Sequence, residues 1–92
     1  MEKNDFSDRF FEAILTLKTK NECAEFFADA CTPKELQAIA QRFTVAEMLY
    51  SKRIYSDIIE ETGASTATIS RVGRSINKGY KMVFERLKQS NE

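Results

Sequence analysis

The 92-residue chain has no histidine, no tryptophan, one proline, three glycines and two cysteines. Without histidine it lacks the commonest general base and the commonest metal ligand. Two thiols, Cys23 and Cys31, are too few for a disulfide framework and too far apart in sequence for a recognisable zinc site. Helical spacing turns both cysteines toward the core. No nucleophile–base–orienter set and no phosphate loop are visible, so no catalytic residues and no metal site are expected. No apolar run approaches membrane-spanning length, and the start, MEKNDFSDRF, is charged throughout. The expectation is a cytoplasmic protein without a membrane segment.

The length suits one compact domain over residues 1–92 and leaves only a modest core, so a dimer is in view from the start. Strand-like alternation is absent, and apolar residues recur at helical spacing nearly throughout, which predicts an all-α fold of six helices. Phe6, Phe10, Ile14 and Leu17 give a helix from Asn4 or Asp5 to Thr19. A short one follows from Asn21 to Ala30. Thr32-Pro33-Lys34-Glu35 is a capping box with proline at the first helical position. The helix it opens runs to about Ser51 and buries Leu36, Ile39, Ala40, Phe43, Ala46 and Leu49. Ser56-Asp57 opens a fourth helix and Gly63 stops it. Ser65-Thr66 opens a fifth, ended by Gly79. The last carries Tyr80, Val83, Phe84 and Leu87. Six phenylalanines in the first 43 residues are many for one small subunit to cover, which favours a core shared between two copies.

Charge is 14 basic against 14 acidic residues, but unevenly spread. Residues 1–62 hold 8 basic and 12 acidic side chains; residues 63–92 hold 6 and 2. No acid falls between Gly63 and Phe84, where Arg71, Arg74, Lys78 and Lys81 lie. Such a stretch suits a polyanion, because Lys and Arg displace the counterions condensed on phosphates. It would equally serve as an ordinary solvated helix face.

Between about Ser56 and Lys78 the pattern is that of a helix-turn-helix. Gly63 can take the positive φ of a tight turn. Ile58, Ile59 and Thr62 face inward from the first helix, Ala64 fills the turn, and Ile69, Val72 and Ile76 face inward from the second. Gly73 permits close approach of a neighbouring helix. Outward, Ala67, Ser70, Arg71 and Arg74 share a stripe with Thr66 beside it. Small, hydroxylated and basic groups there let a helix sit deep in a major groove and address base edges or phosphates. Lys52 and Arg53, and Lys78 beyond the second helix, can hold flanking backbone.

The stretch from Cys31 to Ile76 resembles the Trp repressor superfamily. The likeness runs through Thr32-Pro33-Lys34-Glu35, Arg42, Ala46-Glu47-Met48-Leu49 and Gly63-Ala64-Ser65-Thr66-Ala67-Thr68-Ile69-Ser70-Arg71, and is nearest to the Trp-repressor-like YerC/YecD group. The resemblance implies an intertwined homodimer that binds a pseudo-palindromic DNA operator and regulates transcription, as a repressor, with Thr66, Ala67 and Ser70 at base edges. It also implies an effector site, whose matching positions here are Thr32, Arg42, Thr68, Arg71 and Ser75. Arginine planes can stack on aromatic rings and pair with carboxylates. One position departs: Val72 stands where tryptophan-binding members leave room with glycine. The turn before Ser56 is also one residue shorter. Operator binding without tryptophan, and without any cofactor, is therefore the expectation. A helical protein-interaction module without DNA binding is the alternative.

Overall fold

The structure, a computed structural model, describes residues 5–90, and among these only helices occur as regular elements. They are α1 (Asp5–Ile14), α2 (Lys20–Ala30), α3 (Pro33–Tyr50), α4 (Tyr55–Thr62), α5 (Thr66–Ser75) and α6 (Lys78–Ser90). None is long and apolar enough to cross a membrane. The chain forms two compact units, one up to Leu36 and one from Gln37 onward.

In the first unit, α1 stops at Ile14 rather than running to Thr19. The amides of Thr16 and Leu17 bond three residues back, to Ala13 and Ile14, and the tightened chain leaves the helix. Thr19 then caps α2, its hydroxyl accepting from the Glu22 amide at 3.0 Å. Phe10, Phe26 and Phe27 pack ring against ring, with centroids 5.1–6.5 Å apart. Ile14 and Leu17 are half-buried, but much of the apolar surface is open: Phe6 is 92% exposed, Phe11 58% and Leu15 83%. Cys23 is exposed and Cys31 half-buried, so neither is the core residue that helical spacing predicted. The short α2 buries no residue fully. The capping box at Thr32 forms in both directions. Its hydroxyl accepts from the Glu35 amide at 3.1 Å, and its own amide donates to the Glu35 carboxylate at 2.8 Å.

The second unit holds the core: Val45, Ala46, Met48, Ile58, Ala64, Ile69, Val72 and Phe84. Phe43, Leu49, Tyr50, Ile76 and Tyr80 pack around it. The stripe read for α3 thus holds at Leu36, which is half-buried, and in its C-terminal part. Ala46 is buried and Phe43 and Leu49 half-buried, whereas Ile39 and Ala40 lie exposed. The three rings of Phe43, Tyr50 and Tyr80 surround Phe84 at 5.2–5.5 Å, and Tyr80 stacks on it nearly parallel. α3 ends in a Schellman pair, Arg53 amide to Met48 carbonyl and Lys52 amide to Leu49 carbonyl. Lys52 therefore takes the left-handed conformation, φ 68°, normally given to glycine.

Candidate functional site: the α4–α5 pair and its flanks

α4 and α5 pack directly on each other across a turn of three residues, 63–65. Three local devices fix that turn. Gly63 caps α4 in the left-handed region, φ 72°, and its amide reaches the Ile59 carbonyl. The Thr62 hydroxyl donates back to the Ile58 carbonyl at 2.7 Å and accepts from the Ala64 amide at 3.1 Å. Ala64, 3% exposed, plugs the corner. From α3, the Gln41 amide donates to the Thr62 carbonyl at 2.9 Å, satisfying a C-terminal oxygen of α4. Ser65 caps α5, its hydroxyl taking the Thr68 amide at 3.1 Å.

Two boundaries differ from the sequence reading. α4 begins at Tyr55 after Ile54, and no side chain caps it, so Ser56-Asp57 lies inside the first turn. The carbonyl of Ile54 already takes the Ile58 amide, which fixes the start one residue before that pair. Gly79 lies inside α6 rather than ending α5; the break comes at Ile76, whose ψ of 116° leaves the helix. Of the inward residues, Ile58, Ile69 and Val72 are buried and Thr62 and Ile76 half-buried, but Ile59 points out at 39% exposure. At Gly73 an added Cβ would meet Leu49 at an ordinary 3.5 Å, so the helices do not require glycine there.

On the other side of α5, Thr66, Ala67, Arg71 and Arg74 are exposed and Ser70 is half-buried. Arg71 and Arg74 have no ion-pair partner among the described residues. Lys78, the first residue of α6, and Lys52 are exposed as well. Arg53 is not free. Its guanidinium holds Glu61 and lies 3.5 Å from Asp57, and Glu61 first, then Asp57, favours its charged form. A side chain absent from the sequence reading joins the face: the Tyr55 hydroxyl lies 3.4 Å from the Ser70 hydroxyl.

A cavity of about 400 Å³ opens beside this pair. Arg42, Thr68, Arg71 and Ser75 line it together with Val72 and Tyr80. Four of the five effector positions named from the sequence are thus brought together. Thr32 is in the first unit, with its hydroxyl spent on capping α3. Arg42, like Arg71, has no carboxylate partner among the described residues. The cavity's lining carries two guanidinium groups, three hydroxyls and no acid, a set that suits an anionic group. Val72 is a wall rather than a plug. Its side chain is 4% exposed and belongs to the core, and the space beside it stays open.

The comparisons with known proteins agree along nearly the whole chain. YerC of Bacillus subtilis (strain 168) is 50% identical over 86 residues, covering 90% of this chain and 83% of YerC. A TrpR-like protein from Eubacterium eligens superposes with a TM-score of 0.88 at 53% identity, over 94% of this chain and 92% of that one. A structure from Staphylococcus aureus gives 0.87 at 45% identity, over 94% and 89%. The fold is the all-α, Trp-repressor-like one. The family model described as Trp repressor protein matches residues 6–91, and the chain belongs to that family.

Proposed function

We propose that this protein is a sequence-specific DNA-binding transcriptional regulator, a repressor, that reads an operator as a homodimer. α4 and α5 act as a helix-turn-helix, with α5 in the major groove. One observation carries the reading. The outer side of α5 offers Thr66, Ala67, Arg71 and Arg74 to solvent with no acid among them, on a helix held rigidly by the turn at Gly63. Hydroxyl, methyl and guanidinium groups are those that address base edges and phosphates. Lys78 and Lys52 flank the same elements as phosphate contacts. Membership of the Trp repressor family supports a regulator of transcription, working in the cytoplasm where the operator lies.

The exposed Phe11, Leu15 and Ile39 support a second copy as their cover, since a subunit of 10.6 kDa that leaves such side chains open gains most by pairing. A two-fold pair would set its α5 helices about one DNA turn apart, ~34–36 Å. The effector cavity is secondary in this reading. Val72 puts a branched side chain in the wall of that cavity where the resemblance implies glycine, which leaves less width for an indole, and in this reading operator binding does not depend on tryptophan.

Selection of bound fragments from random DNA, with sedimentation of the free protein, tests the proposal. A palindromic consensus, a dimer, and affinity that falls steeply with salt are expected. Salt-insensitive or absent DNA binding by a correctly folded protein would favour the interaction module instead.

A further inference from the structure

We propose that Tyr55 is a specificity-determining residue, which orients the proton of Ser70 so that Ser70 presents a hydrogen-bond donor to the groove; this rests on the operator reading above.

Helical Ser and Thr can return their hydroxyl proton to a carbonyl one turn back. Thr44 does so to Ala40, Thr62 to Ile58 and Ser75 to Arg71. Ser70 does not. Its neighbour is the Tyr55 hydroxyl, 3.4 Å away, fifteen residues earlier in the chain and on the other helix of the pair. Ser70 is half-buried and lies among the exposed side chains of α5, which in the operator reading puts it within reach of a base.

A serine hydroxyl has one proton and two lone pairs. Whichever of the two hydroxyls donates to the other decides what Ser70 has left. A phenol is far more acidic than an alkyl alcohol, so it is the better donor, and the alkyl oxygen is the better acceptor. With Tyr55 donating, the Ser70 proton is released toward the groove, and the two bonds polarise in the same sense. The 3.4 Å separation is wide for an O–H···O bond, and engagement of Ser70 by a base draws the pair together. Guanine N7 and O6, thymine O4 and adenine N7 accept such a proton. The cytosine amino group, itself a donor, cannot take that proton and can meet only the single Ser70 lone pair that Tyr55 leaves free. The consequence is discrimination against cytosine at the one position in each half-site that Ser70 reads. Tyr55 opens α4 and is 43% exposed, so removing its hydroxyl alone leaves the packing of the ring intact.

The test is fragment selection with the wild type, Tyr55→Phe, Ser70→Ala and the double variant, alongside thermal melting of each. Wild type disfavours cytosine at one position per half-site. Tyr55→Phe melts with the wild type but loses about three- to tenfold of that discrimination, the worth of one net hydrogen bond. Ser70→Ala loses it at the same position, and the double variant loses no more than Ser70→Ala. An unaltered base profile in Tyr55→Phe would overturn the proposal. So would an equal loss of affinity for all sequences, which marks a phosphate contact, or an effect at a position that Ser70→Ala leaves alone. If the wild type showed no salt-sensitive binding at all, the operator reading itself would fail and take this role with it. That outcome is distinct from the others, in each of which the wild type binds.

Discussion

The guanidinium of Arg53 is held by the carboxylate of Glu61, two turns along the neighbouring helix, with Asp57 between them at 3.5 Å from the Arg53 Nε. The three charges form a strap along one side of α4. A cation already matched by two acids releases few counterions when it nears DNA, whereas Arg74 has no such partner. Arg74→Ala should therefore flatten the dependence of log affinity on log salt by roughly 0.9 per subunit. Arg53→Ala should leave that slope nearly unchanged. Binding titrations between low and moderate salt check both, and an equal flattening by the two variants would return Arg53 to the phosphate contacts.

Three backbone positions make opposite predictions. Lys52 occupies the left-handed region at φ 68°, so Lys52→Gly relieves a strain of about 1 kcal/mol, less the added freedom of glycine when unfolded. Gly63, at φ 72°, is the mirror case, and Gly63→Ala costs about 1 kcal/mol although nothing lies within 4 Å of the added carbon. Gly73 is helical and has room, so Gly73→Ala gains about 0.5–1 kcal/mol. Denaturant melts of the three variants should rank them in that sense. A loss at Gly73→Ala would reveal a close neighbour outside this subunit.

Tyr50 donates its hydroxyl to Glu85 across α3 and α6, and Lys88 lies 3.7 Å from the same carboxylate and over the Tyr50 ring. The Tyr50 bond, then the Lys88 charge, holds the Glu85 carboxyl below its ordinary 4.5. The same bond raises the Tyr50 phenol above its ordinary 10.0. The signs follow by linkage. The lowered carboxyl stabilises the fold above about pH 4.5 and loses that effect as pH falls through its folded value. The raised phenol stabilises below about pH 10 and loses it on further rise. The melting difference between wild type and Tyr50→Phe should be constant between those limits and shrink below pH 4.5. In Tyr50→Phe the Glu85 carboxyl should titrate closer to its ordinary value by NMR.

Val72 sets the terms for an aromatic ligand. Calorimetry of the wild type with tryptophan should give no micromolar binding and no tightening of operator affinity. Val72→Gly should widen the cavity and admit the ring, while costing roughly 2–4 kcal/mol for the lost core methyls and the glycine in α5. Micromolar binding by the wild type would remove Val72 as the discriminating residue.

Local chemistry was the legible part of the sequence. The Thr32–Glu35 box, the Gly63 stop and the Ser65 cap each depend on residues within one turn, and each forms. Ser56-Asp57 misled because capping is a preference, not a requirement; the Schellman turn at Lys52 and Arg53 launches α4 from Ile54 without a side-chain cap. The stripe on α3 shows which face is apolar but not how far along it the subunit supplies cover, so Ile39 reads as core and is 47% exposed. In the candidate site, Thr66, Ala67, Arg71 and Arg74 could be read from helical spacing. The Arg53 strap follows the same i+4 and i+8 periodicity and was readable in principle. Tyr55 was not: its nearness to Ser70 exists only once α4 and α5 are folded together.

The turn at residues 62–64 is tied by a left-handed glycine, a threonine bonded in both directions and an alanine with no room to move. A joint so constrained is a poor hinge. If the proposed regulator is switched by a ligand, the expectation is that α4 and α5 move as one block, the position of the pair changing while the angle inside it is kept.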